Sequence, residues 1–111
     1  MTIEQLAAML QGTGISFAYD HFAEGESPEP PFICYLTPGS DNFAADGQVY
    51  FKIDDYHIEL YTDFKDLAVE AKLEEALDAA SIFYNKSETW IESEKLYEVL
   101  YSFEMEVANN G

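Results

Sequence analysis

From Leu96 to Val107 apolar and polar residues alternate almost without a break. Tyr97, Val99, Tyr101, Phe103, Met105 and Val107 share one side; Glu98, Ser102, Glu104 and Glu106 share the other, with Leu100 the one interruption. A period of two puts successive side chains on opposite faces of a strand. Twelve such residues make a long strand. A strand this long with one apolar side needs further strands beside it and a second layer over that side.

The rest of the chain supplies both. Thr2 followed by Gln5 is a capping-box pattern. Ile3, Leu6, Ala7 and Leu10 then recur at helical spacing until Gly12 and Gly14, which predicts a helix over 3–11. Ile15 to Tyr19 and Phe32 to Leu36 read as strands, joined through a stiff, extended segment from Glu24 to Pro31 that is rich in glutamate and proline. Pro38 to Asn42 and Asp46-Gly47 read as turns. Val49 to Ile53 and Tyr56 to Thr62 read as two strands joined by a tight hairpin at Asp54-Asp55. Val69, Leu73, Ala76, Leu77 and Ala80 restore the helical period, predicting a helix over 66–80 capped by Asp63 or Asp66. Ile82 to Glu92 reads as a strand, followed by the turn at Ser93-Glu94 and the final strand. The expected fold is therefore α+β in the order α-β-β-β-β-α-β-β, two helices packed on a mostly antiparallel sheet, with residues 1–111 forming one domain.

Charge narrows the function. Asp and Glu number 22 against five lysines and no arginine, a net charge of −17 on a chain that is 48% hydrophobic and 15% aromatic. Disordered acidic chains lack such apolar and aromatic content, so here the acidity decorates a folded domain. Nucleic-acid binding draws its affinity from Lys and Arg that release counterions, and this chain has few of either. Anionic membrane surfaces repel it as well. The N-terminus has no basic segment followed by an apolar run, so no secretory signal is expected, nor any membrane span. Cys34, the single cysteine, reads as a buried small hydrophobe with no cation to activate it.

No catalytic, cofactor-binding or metal-ligating residue can be assigned. His21 and His57 lie in different elements and neither has a zinc-type partner at close spacing. The Asp41 to Gly47 stretch lacks the alternating oxygen ligands of a calcium loop. Motifs for serine hydrolases, zinc proteases and phosphate-binding loops are missing. The expectation is a non-enzyme. One acidic pattern stands apart: Asp66, Glu70, Glu74 and Asp78 follow one another at i,i+4 along the second helix. Each like-charge pair costs about 0.2–0.5 kcal/mol, and Lys72 is the neighbouring cation on the helix. Either the face is an ordinary solvated one, or it is an acidic surface contributing to a directed negative field.

Three stretches also resemble a known family. They are VYFKIDDYHIELYTD at 49–63, the helix at 67–80, and FYNKSETWIESEKLYEVLY at 83–101, with FAYDHF at 17–22 and PFICY at 31–35 in keeping. Together they resemble small tail components of siphophages and prophages of Gram-positive bacteria. Size and element order are similar to those of tail terminator and tail-to-head joining proteins, which form rings that cap the tail tube. The resemblance implies a non-catalytic homo-oligomer that contacts other tail or connector proteins. It would be made in the host cytoplasm during assembly and end in the virion tail. Ring contacts are heterologous, and long strands and extended arms supply them by strand addition. The expected subunit interface is Tyr97, Val99, Tyr101 and Phe103 of the last strand, with Glu24, Glu26 and Glu29 of the arm. Carboxylates facing a ring lumen would repel DNA and keep it sliding. The competing reading is an acidic DNA mimic that inhibits a host nuclease or DNA-binding protein, which needs regularly spaced carboxylates.

Overall fold

The computed structural model describes residues 2–23, 28–40, 43–45, 48–51 and 53–106. It opens with helix α1, Ile3–Thr13, whose first turn is closed by the expected box. The Gln5 amide donates to Thr2 Oγ1 at 3.1 Å, and the Thr2 amide donates to Gln5 Oε1 at 2.8 Å. Gly14, at φ 77°, ends the helix in the left-handed conformation that glycine adopts without a steric cost. Leu6 and Leu10 are fully buried.

The strands are β1 Ser16–Tyr19, β2 Phe32–Ser40, β3 Phe43–Ala45, β4 Gln48–Phe51, β5 Ile53–Thr62, β6 Asn85–Ile91 and β7 Leu96–Glu106, with helix α2, Leu67–Ala79, between β5 and β6. Five of them form one sheet in the order β1-β2-β5-β7-β6; β3 and β4 form a separate two-stranded ribbon. The sheet is mixed, because β1 pairs parallel to β2 while its other neighbours are antiparallel. A parallel pair needs a crossover of about a dozen residues. The chain makes that crossover between β1 and β2, so that Ser16 lies opposite Phe32.

Two expected turns are strand instead. β2 continues through Pro38, Gly39 and Ser40, and its register with β5 shifts between Leu36 and Gly39. Such an irregularity accommodates a proline that has no N–H to offer the ladder. Likewise Asp54-Asp55 forms no hairpin; both lie within β5, opposite Ser40 and Gly39 on one side and Met105 and Glu104 on the other. The hairpin is β3–β4, one strand more than the sequence predicts. The turns at Asp41-Asn42 and Asp46-Gly47 lie outside the described residues.

One face of the sheet carries the core. Ile33 and Tyr35 of β2 pair with Leu60 and Ile58 of β5, which pair in turn with Val99 and Tyr101 of β7. All six are buried. Leu6 and Leu10 of α1 and Leu73 and Leu77 of α2 join the same cluster, so both helices cover this face. Tyr56 stacks on Phe103 at 5.3 Å. The opposite face carries Phe32, Cys34 and Leu36 of β2, His57, Glu59 and Tyr61 of β5, and Glu98, Leu100 and Ser102 of β7. Among the described residues no helix is long and apolar enough to cross a membrane.

Candidate assembly surface

The four carboxylates of α2 do not form an open acidic surface. Asp66 caps the helix, accepting from the Val69 amide at 3.2 Å. Glu70 is only 2% exposed and is met by Lys65 Nζ and Lys86 Nζ, each at 2.8 Å. The angles of approach fall short of ideal hydrogen-bonding geometry, so the attraction is mainly of charge to charge. Lys86 also pairs with Glu74 at 2.8 Å, and Glu74 accepts from Tyr101 Oη at 2.7 Å and from Tyr84 Oη at 3.4 Å. Lys65 reaches Glu88 of β6 at 2.5 Å. Asp78 alone of the four is an exposed carboxylate outside this network. The sequence reading missed this because Lys86 comes from another element. Its four-residue ridge is corrected to a charge network that ties α2 to β6.

These contacts set the titration of the network. Burial raises the Glu70 carboxyl, but the two ammonium groups outweigh it and hold it below its ordinary 4.5. Glu74 is depressed in the same way, with burial opposed by Lys86 and the tyrosine hydroxyls. Burial lowers Lys86, yet Glu70 and Glu74 carry it up to about 12. On the far face the balance reverses. Glu59 is pushed above 4.5 first by burial and then by Glu98, and Tyr61 only partly opposes this. Tyr61 itself donates to Glu98 at 3.1 Å.

Stability should therefore peak at mildly acidic pH. Glu70 and Glu74, with depressed values, stabilise the fold above their unfolded pKa, and that contribution is lost as pH falls through their folded values. Glu59, with a raised value, is strained when charged, so its cost is relieved as pH falls through its folded pKa. Thermal melts at constant ionic strength should show Tm rising as pH is lowered toward the ordinary carboxyl value of 4.5 and falling below it. Glu59→Gln should flatten the rise. A Tm that falls steadily from pH 7.5 to 5 would show the Glu59 account to be wrong.

The expected interface residues are mostly interior. β7 lies between β5 and β6, and β6 pairs with it from Leu96 to Ser102, so the backbone at Tyr97, Val99 and Tyr101 is paired on both sides. Val99, Tyr101 and Phe103 are buried under the helices, so in this fold they are not presented to a neighbour. Tyr97 is half-buried and packs on Trp90 with ring centroids 4.7 Å apart. Glu29 is exposed, and Glu24 and Glu26 lie outside the described residues. Cys34 is buried on the far face, where burial, Glu59 and Asp20 push its thiol up.

The outermost strands of the sheet are β1 and β6. β6 is exposed along nearly its whole length and presents an unpaired backbone edge, the usual template for adding a strand from another chain. Several large hydrophobic side chains are exposed. Among the described residues they are Tyr19 on β1, Trp90 on β6, Phe83 just before β6, and Phe64 and Leu67 around Lys65. Phe83 is 98% exposed. The strand expected over Ile82 to Glu92 is shorter, β6 spanning Asn85–Ile91, which leaves Phe83 outside it.

Among the described residues no group of three or more His, Cys, Asp and Glu is placed to hold a metal ion. His21 pairs with Asp20 at 2.8 Å on an exposed loop.

No protein-family model and no curated protein matches the chain. Its fold is similar to that of a chain in the virion of a native gene transfer agent particle, with a TM-score of 0.63 at 14% identity. The likeness covers 94% of this chain and 84% of that one.

Proposed function

We propose that this chain is a structural, non-catalytic protein of a phage-like virion, and that it serves as a ring-forming subunit that terminates the tail or joins it to the head. The observation that carries the reading is the fold likeness, nearly end to end, to a chain of a gene transfer agent virion. The resemblance of 49–63 and 83–101 to siphophage tail components points the same way. A sheet with one open edge on each side suits heterologous contacts, which close into rings when the rotation allows. In the host cytoplasm such subunits assemble on the tube, and the ring then remains in the virion tail. Carboxylates that face the channel repel DNA and leave it free to pass. The DNA-mimic reading is weaker, since the one regular row of carboxylates on α2 is occupied by Lys65 and Lys86.

Light scattering coupled to size-exclusion chromatography, followed by negative-stain imaging, tests this with and without the tail-tube protein. Closed rings are expected, alone or on the tube. A chain that never assembles on the tube, and that inhibits a DNA enzyme instead, would overturn the proposal.

A further inference from the structure

The outermost strand β6 is complementary to itself. Among the described strands it pairs with β7 alone, and Asn85 to Trp90 are all exposed. A strand so placed offers a row of backbone N–H and C=O groups to another strand. Its side chains take alternate faces of the sheet. Asn85, Ser87 and Thr89 lie opposite Ser102, Leu100 and Glu98, on the face away from the helices. Lys86 and Glu88 lie opposite Tyr101 and Val99, on the helix face. These two are the charges of β6, and both remain partly in water while they pair with Glu70, Glu74 and Lys65 of the same chain.

When two copies of one strand pair antiparallel about a two-fold axis, residues on the same face meet across it. With the axis at Ser87, each Lys86 lies opposite Glu88 of the other copy, and each Asn85 opposite Thr89. Shifted one step either way, the centre becomes Lys86 or Glu88, and like charges face each other. Opposite charges across a strand pair stabilise it and like charges destabilise it. The sequence of β6 therefore selects the Ser87 register. Carried on past Asn85, that register sets Tyr84 opposite Trp90 and Phe83 opposite Ile91. Phe83 is 98% exposed and Trp90 is also exposed, so the same pairing covers both aromatic side chains.

We propose that two copies of this chain pair antiparallel through β6, about a two-fold axis at Ser87, and so join their sheets. The occupant of the edge is a second copy because the strand matches itself in charge and in apolar positions alike. Backbone hydrogen bonds and the Phe83–Ile91 and Tyr84–Trp90 contacts hold the pair, and the charges fix its register. The contact goes beyond the ring reading and stands without it. A two-fold contact uses one patch twice, whereas ring contacts join two different patches. Both form when the ring uses other surfaces.

The test is disulfide trapping in the full chain under mild oxidation, with the wild-type chain and its buried Cys34 as control. Directly opposed residues of an antiparallel pair have Cα atoms about 4.5–5.5 Å apart, within disulfide reach. In the proposed register residue 87 meets itself, whereas residues 85 and 89 each lie about 13 Å along the strand from their own counterparts. Ser87→Cys should therefore link about tenfold faster, or more, than Asn85→Cys or Thr89→Cys alone. An equal mixture of those two variants should link at a rate comparable to that of Ser87→Cys. Ser87→Asp sets two carboxylates face to face and should weaken association in sedimentation about threefold or more. Thr89→Asp adds the same charge opposite Asn85 and should weaken it less. All these positions are exposed, so the circular dichroism spectra should match that of the wild type. Equal linking at all three positions, or faster linking of Asn85→Cys or Thr89→Cys alone, would overturn the pairing, as would a chain that stays monomeric. Rings that form while Ser87→Cys does not link would overturn the pairing and leave the ring reading standing. A Ser87→Cys link, with no ring from the wild-type chain alone or on the tail-tube protein, would support the pairing and overturn the ring reading.

Discussion

Replacing Lys86 with methionine is expected to lower the unfolding free energy by about 2–4 kcal/mol. The reason is the position of Glu70, which is 2% exposed and holds its charge between two ammonium groups. Removing one partner from a buried ion pair costs roughly 3–5 kcal/mol, because a charge is left without compensation. Here Lys65 remains and the Lys86 side chain is 36% exposed, so the effect is discounted for solvent screening. Lys86 also neutralises Glu74, on which Tyr101 depends for the 2.7 Å hydrogen bond of its buried hydroxyl. Against a total stability of about 5–15 kcal/mol for a domain of this kind, the loss is large. Urea unfolding measures it directly. The double variant Lys86→Met with Glu70→Leu should recover much of the loss, since no charge is then stranded. A loss below about 1 kcal/mol in the single variant would mean that water or a shift of Lys65 replaces Lys86.

The same network marks the limit of what local pattern reveals. Helix α1, with its capping box and glycine stop, and the alternations of β5 and β7 were legible because each depends on residues close in sequence. The core follows from those alternations, since Ile58 and Leu60 lie opposite Tyr101 and Val99. The i,i+4 row from Asp66 to Asp78 was legible too, but its environment was not. Lys86 is remote along the chain from Glu70 and reaches it only after β6 has paired with β7. Pro38 and Asp54-Asp55 misled for a related reason. Their turn propensity is local and weak, and long-range pairing of β2 with β5 overrides it. The exposure of Phe83 could not be read either, because the apolar run from Ile82 to Tyr84 reads as the start of a strand, whereas β6 begins only at Asn85.

Raising sodium chloride from 0.05 to 0.5 M is expected to tighten self-association about tenfold or more, by screening like charge. Every copy carries a net charge of −17, so subunits approaching one another repel over long range. The cations that might bridge copies are largely used within the chain: Lys65 and Lys86 hold Glu70 and Glu74, and Lys95 holds Glu92. With the Debye length near 8 Å at 0.15 M and 3 Å at 1 M, most of the repulsion is gone by the upper end of this range. The gain should level off there, which separates screening from the continued strengthening expected of an excluded salt such as sulfate. A DNA mimic gives the opposite sign, because a basic host partner would be released as salt rises. Sedimentation velocity across the series reads both. Oligomers that come apart as sodium chloride rises would show that ion pairs between copies hold the assembly.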